Sequence, residues 1–229
     1  MIKRIFVVCM ILCSVLTSYA SDKTLKEQAD IQNRINNIGV NILNSNKINK
    51  RIVFVYDKNE YKKTLNDPAL VKRQIIVYDN YFKFIENDDE LAAFLAHEIS
   101  RAVKSYSGEW GGFVSATQVK AAPKKYEIYA DKRAVSYMVK AGYNPLGLIT
   151  LINKTAPQNI FDKLLFHNHP SKRMAIIYEY IYYNYPSFLA ENTYIENPNF
   201  QNFLLNSTYN RALLKEKIIS NSKKELKYE

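Results

Sequence analysis

Apolar residues change their spacing several times along the chain. Leu25, Ala29, Ile31, Ile35, Ile38 and Ile42 recur at helical intervals, which predicts a helix over Leu25–Asn44. Arg51–Tyr56 (RIVFVY) and Gln74–Tyr78 (QIIVY) are short β-rich runs on either side of a polar stretch with Asn66-Asp67-Pro68. They predict two strands able to pair as neighbours. The strongest helix follows. Asn87-Asp88-Asp89-Glu90 supplies a cap and first-turn acids that suit the positive end of a helix dipole. Leu91, Phe94, Leu95, Ile99 and Val103 then offer a core stripe. Gly108–Gly112, around Trp110, interrupts this pattern. Tyr126–Lys140 predicts another helix, closed by Gly142 at a C-cap position. Pro145 opens a shorter one, and Pro170 starts a helix running to about Tyr183. From about residue 200 the chain is rich in Asn and Lys, with one helical patch at Ala212–Ile219.

Composition narrows the class. Of 229 residues, 47% are hydrophobic and 24% charged, with only 6 Gly and 7 Pro. Disordered, collagenous and disulfide-dense chains are excluded, and a sandwich of many short strands is disfavoured. The expected fold class is α+β, mainly α-helical, with no internal repeat and no second core.

The first twenty residues read as an export signal rather than as fold. Lys3 and Arg4 precede an apolar stretch, Ile5–Leu16, and Ser18-Tyr19-Ala20 forms a small-x-small cleavage site. The stretch is short for a membrane span. An uncleaved anchor is the alternative, and Cys13 lacks the small preceding residues of a lipidation site. Both cysteines, Cys9 and Cys13, fall in this segment, so the mature chain would have no disulfide and no thiolate ligand. Cleavage after Ala20 would place the protein in a bacterial periplasm or outside the cell.

Three groups of residues carry candidate chemistry: His97-Glu98-Ile99-Ser100-Arg101, Glu127-Ile128-Tyr129-Ala130-Asp131, and His167-Asn168-His169-Pro170-Ser171-Lys172-Arg173. A His-Glu pair alone is weak, since a lone His on an apolar helix is more often a core residue. Order and co-occurrence add more. The stretch from Asn87 to Ser100 resembles the active-site helix of the M-48 peptidases, gluzincin zinc metallopeptidases related to heat-shock protein X, the CAAX prenyl protease and periplasmic assembly proteases. Glu127-x-x-Ala130-Asp131 resembles that family's third-ligand helix, and the His-Pro with Arg173 resembles its later motif. The resemblance covers roughly residues 25–185.

The resemblance implies a zincin-like metallopeptidase domain over residues 21–186, with a small sheet packed beside the active-site helix, and a helical or irregular tail over 187–229. It implies one zinc ion, with His97 and Glu127 as ligands and Glu98 as general base. Asp131 would orient a ligand His. His169 or His167, with Arg173, would face the cleft, where the Arg could stabilise an oxyanion. His167 and Arg173 are six residues apart, as in the family, whereas His169 has the Pro directly after it.

Arg101 stands where the family has its second zinc-binding His. A guanidinium has only donors and cannot ligate zinc. Two readings follow: a degenerate site in which Arg101 replaces the metal electrostatically and pairs with Glu127 or Glu98, or a rescued site in which His167 or His169 becomes the missing ligand. The expected function is a secreted metalloendopeptidase-family protein whose peptide-bond hydrolysis is impaired or lost. The alternative is a pseudoprotease that binds extended or unfolded polypeptide in a chaperone-like or regulatory role.

Charge suggests a further partner. Lys plus Arg is 32 against 22 acids, a formal net of +10. Lys47, Lys50, Arg51, Lys62, Lys63, Lys72 and Arg73 flank the strands, and Lys215, Lys217, Lys223, Lys224 and Lys227 mark the tail. Such patches attract anionic surfaces. For an exported protein this favours peripheral contact with anionic membrane and argues against nucleic acid. Simple solvation of the lysines is the bland alternative. The run Tyr178–Tyr185 (YEYIYYNY) is expected to form the packed face and rim of its helix.

Overall fold

The computed structural model describes residues 25–59, 74–105, 123–155 and 170–228. The export segment, the Asn66-Asp67-Pro68 stretch with Lys62, Lys63, Lys72 and Arg73, the Gly108–Gly112 stretch, His167 and His169 lie outside the described residues.

Helix α1 covers 25–45 and buries Ile35, Ile38 and Ile42 completely or nearly so. Strands β1 (Val53–Asp57) and β2 (Gln74–Tyr78) do pair, and they pair in parallel, with Val55 opposite Ile76. Phe54, Ile75 and Val77 point into the core. A side chain from α1 attends to the β1 backbone. The Gln32 amide donates to the Phe54 carbonyl at 3.0 Å and accepts from the Tyr56 N–H at 2.7 Å. This satisfies strand groups that would otherwise need a neighbouring strand.

After a single turn, α2 (Asp79–Phe82), comes α3 (Asp88–Ser105). Asn87 caps it, its Oδ1 accepting from the Glu90 N–H at 2.9 Å. The fully buried Glu90 carboxylate reaches back to the Glu86 N–H at 2.8 Å, a capping box displaced by one residue. Leu91, Leu95 and Ile99 are 0% exposed, and burying such side chains stabilises by about 1.5–3 kcal/mol each.

Helix α4 (Pro123–Lys140) begins a turn before its expected start at Tyr126. It ends where expected, with Gly142 at φ +84°, a conformation glycine adopts without penalty. Helix α5 is Leu146–Thr155 and α6 is Pro170–Asn184. A short α7 (Ser187–Ala190) leads to α8 (Pro198–Asn206) and α9 (Thr208–Ile219).

The tail is more helical than its composition predicts. The single patch expected at Ala212–Ile219 is the end of a longer helix, and α8 precedes it. The start signal of α8 is legible in retrospect. The Asn197 side chain accepts from the N–H groups of Asn199 and Phe200, and Pro198 takes the first helical turn. Phe200 and Phe203 then enter the same buried cluster as Leu91, Leu95 and Ile177.

The architecture is α+β and mainly helical, with a two-stranded parallel sheet. Helix α3 lies against α4 and α5, with β2 at its side, and α6 packs on α4. Three helices that carry chemistry-bearing residues are thus neighbours.

Candidate functional site

Helical spacing puts His97 and Arg101 on one face of α3, with Glu98 one position on. Glu127 and Asp131 are likewise four apart on α4, so both point toward the same neighbour. The contact of α3 with α4, and of α4 with α6, brings five of these residues together with Arg173.

Asp131 is the centre of this group. Its side chain is 1% exposed and receives a bidentate guanidinium: Arg173 Nε donates to Oδ2 at 2.9 Å and Nη2 to Oδ1 at 2.7 Å. His97 Nδ1 lies 3.0 Å from Asp131 Oδ1. Among the described residues Nδ1 has no hydrogen bond of good angle, so the approach to Asp131 is oblique. Arg173 also extends Nη1 to Glu127 Oε1 at 3.0 Å. At the solvent edge Arg101 Nη1 donates to Glu98 Oε1 at 3.1 Å.

The electrostatics follow from this arrangement. Burial alone would raise the Asp131 carboxyl, but hydrogen bonds from Arg173, its charge, and the nearby His97 outweigh burial and hold it at about 2. Burial opposes the charge of Arg173 as well, and Asp131, then Glu127 and Glu98, more than restore it. Arg101 is held more firmly protonated, first by the charge of Glu98 against some burial, then by its hydrogen bond to Glu98 and the charge of Glu127, with Arg173 opposing. Arg101 therefore senses the charges of both Glu127 and Arg173 on the neighbouring helices.

The donor set can be compared with the zinc ion that the resemblance implies. A catalytic zinc site usually keeps three protein ligands and an open position. Here the ligand-type side chains are His97 and Glu127, and the third position carries a guanidinium. One oxygen of Glu127 is already taken by Arg173. Among the described residues no group of three His, Cys, Asp or Glu side chains is arranged to hold a metal ion. The described residues do not fit a three-ligand zinc site.

Two features of the site go beyond what spacing along the chain shows. Arg173 bridges Asp131 and Glu127, ion pairs that the resemblance does not specify. The rim beside Arg101 is also aromatic. One turn along α3, Lys104 Nζ sits over the rings of Tyr126 and Tyr129, at 5.9 and 5.5 Å from their centroids. The signal for the second was present, since Lys104 follows Arg101 by three residues and Tyr126 and Tyr129 flank Glu127. Of the tail lysines, Lys217 is engaged by Glu179 at 2.7 Å, whereas Lys215, Lys223, Lys224 and Lys227 are exposed.

Comparison of the chain with known protein families, with curated proteins and with solved structures finds no match. Among the described residues no helix is long and apolar enough to cross a membrane.

Proposed function

We propose that this chain is an exported, zincin-like metallopeptidase relative whose hydrolytic activity is impaired or lost, and whose cleft binds extended polypeptide. One observation carries the reading. His97, Glu98 and Arg101 of α3 meet Glu127 and Asp131 of α4 and Arg173 of α6 in a single cluster. That is the order and grouping of an M-48 peptidase, with an arginine in place of one ligand. His97 keeps its Nδ1 side toward a buried carboxylate, as a metal-site imidazole does, but Arg101 and Arg173 occupy the surroundings.

Polypeptide is the favoured ligand class because the resemblance implies a peptide substrate, and the cluster carries donors, acceptors and an aromatic rim that suit one. The exposed lysines of the tail support peripheral contact with anionic membrane in the same compartment.

The test uses the chain from residue 21 onward, purified without added metal. The expected outcome is little retained zinc, no cleavage of casein, and saturable binding of a fluorescent unfolded polypeptide. About one zinc per chain together with casein cleavage would overturn the loss of activity and point to a working peptidase. Absence of polypeptide binding would overturn the binding reading.

A further inference from the structure

Helices α8 and α9 bury one side and leave the other bare. Phe203, Ser207, Asn210 and Leu214 are buried. On the opposite side Leu205 is 75% exposed, Tyr209 59% and Ile219 74%. Leu205 and Ile219 are the two most exposed large apolar side chains among the described residues. Single exposed apolar residues are ordinary, but a contiguous patch marks an interaction surface. Exposed Ala212 and Glu216 complete a stripe over positions 205, 209, 212, 216 and 219. Its steps of four, three, four and three are the seam spacing of paired helices. The junction at Ser207 keeps the helical ladder. The Ser207 N–H donates to the Phe203 carbonyl at 2.9 Å, and the Arg211 N–H donates to the Ser207 carbonyl at 2.8 Å.

We propose that this stripe is a self-association surface, on which α8 and α9 of a second copy of this chain lie antiparallel across a two-fold axis at Ala212. The stripe is self-complementary, as an isologous contact requires. Ala212 is its middle residue and is small, so two helices can approach closely where they cross. Leu205 and Ile219 stand seven residues to either side, so the apolar end of one copy meets the apolar end of the other. Tyr209 lies three residues before the centre, and Lys215 and Glu216 lie three and four residues after it. The Tyr209 hydroxyl of one copy thus faces an ammonium and a carboxylate of the second. A lipid surface fits less well, because Glu216 in the seam would enter an apolar layer without a partner. The stripe is about 21 Å long and one helix, about 10 Å, wide. That is far below the roughly 800 Å² per partner of a standard interface, so the pair forms at high concentration and separates on dilution. This inference is independent of the cluster on α3, α4 and α6.

The test uses the chain from residue 21 onward, which has no cysteine. Sedimentation of wild type, Leu205→Glu and Ile219→Glu is followed from micromolar to several hundred micromolar concentration. The wild type should move from the mass of one chain toward that of two. Each Glu variant should self-associate at least about tenfold more weakly, since the seam would bury an unpaired carboxylate. Both should melt as the wild type does in dilute solution, because the replaced side chains lie outside the core. Under mild oxidation Ala212→Cys should form a disulfide-linked dimer, whereas Glu191→Cys, exposed but off the stripe, should not. A wild type that stays single at every concentration would overturn the proposal, and so would an Ala212→Cys chain that links no faster than Glu191→Cys. A dimer that survives both Glu variants uses another surface and overturns it equally. Retention of a single-chain wild type on anionic vesicles, abolished by Leu205→Glu, would make the stripe a lipid contact instead.

Discussion

Asp131 shows how one residue can depend on its neighbours for its charge. It is nearly inaccessible, and its carboxyl is nevertheless held at about 2, below the ordinary 3.8, because the Arg173 bonds and charge, with His97, overcome burial. A carboxyl lowered on folding contributes stability above its unfolded value, and that contribution is lost as pH falls through the folded value. The window here runs from about pH 4 down to about pH 2, and the shift is worth about 2 kcal/mol. Urea unfolding followed from pH 7 to pH 2 should show this acid limb, and Asp131→Asn should lack it while being less stable at neutral pH. An identical acid limb in the variant would refute the assignment. Arg101 makes the complementary case. Its identity is readable in the sequence, but spacing allows either Glu98 or Glu127 as hydrogen-bond partner, and the fold gives it Glu98.

At the scale of elements, the start of α3 ties much of the fold together. Three successive acids each hold a different segment. Asp88 pairs with Arg34 of α1 at 2.6 Å. Asp89 accepts from the Asn144 N–H at 2.8 Å and from the Tyr194 hydroxyl at 3.0 Å. Glu90 meets Lys154 at 2.7 Å and the Thr150 hydroxyl at 2.9 Å. Helix α5 comes so close that a Cβ on Gly147 would lie 2.9 Å from the Asp89 backbone carbon. In the sequence these acids read as dipole complements, which is true of their position but misses their tertiary use. Glu90 is 0% exposed and the Lys154 side chain 6% exposed. Removing one partner of a buried pair strands the other charge, so Lys154→Ala should cost about 3–5 kcal/mol. The double change Lys154→Met with Glu90→Gln should cost less than the sum of the single changes. Additive losses in chemical denaturation would mean that the pair is not coupled.

Over the whole molecule, the residues beyond α6 are part of the packed structure. Tyr194, Phe200 and Phe203 share the main core. The irregular segment over 222–228 returns to α6, the helix that carries Arg173. Tyr228 is buried at 6% exposure and donates its hydroxyl to Glu179 at 2.9 Å, beside the Lys217 contact with the same carboxylate. Burial, helped by Glu179, pushes the Tyr228 phenol up, so it stays neutral as a donor. Tyr228→Phe should cost about 1 kcal/mol, and Tyr228→Ala about 2–4 kcal/mol for the lost packing. Equal unfolding midpoints for Tyr228→Ala and wild type would show that the segment is a bystander.

The sequence by itself determined the helices with clear apolar spacing, the two strands, the Gly142 stop, and the residues that could carry chemistry. These are local properties: periodicity, capping and propensity act within a few residues. It under-read α8 because Asn and Gln dilute the apolar signal there, and the packing of Phe200 and Phe203 makes that segment a helix of the core. The tertiary structure decided how α3, α4 and α6 sit together, and so which carboxylate meets which guanidinium. Charged side chains several helices apart in sequence choose partners by distance and burial, and neither is encoded in spacing along the chain.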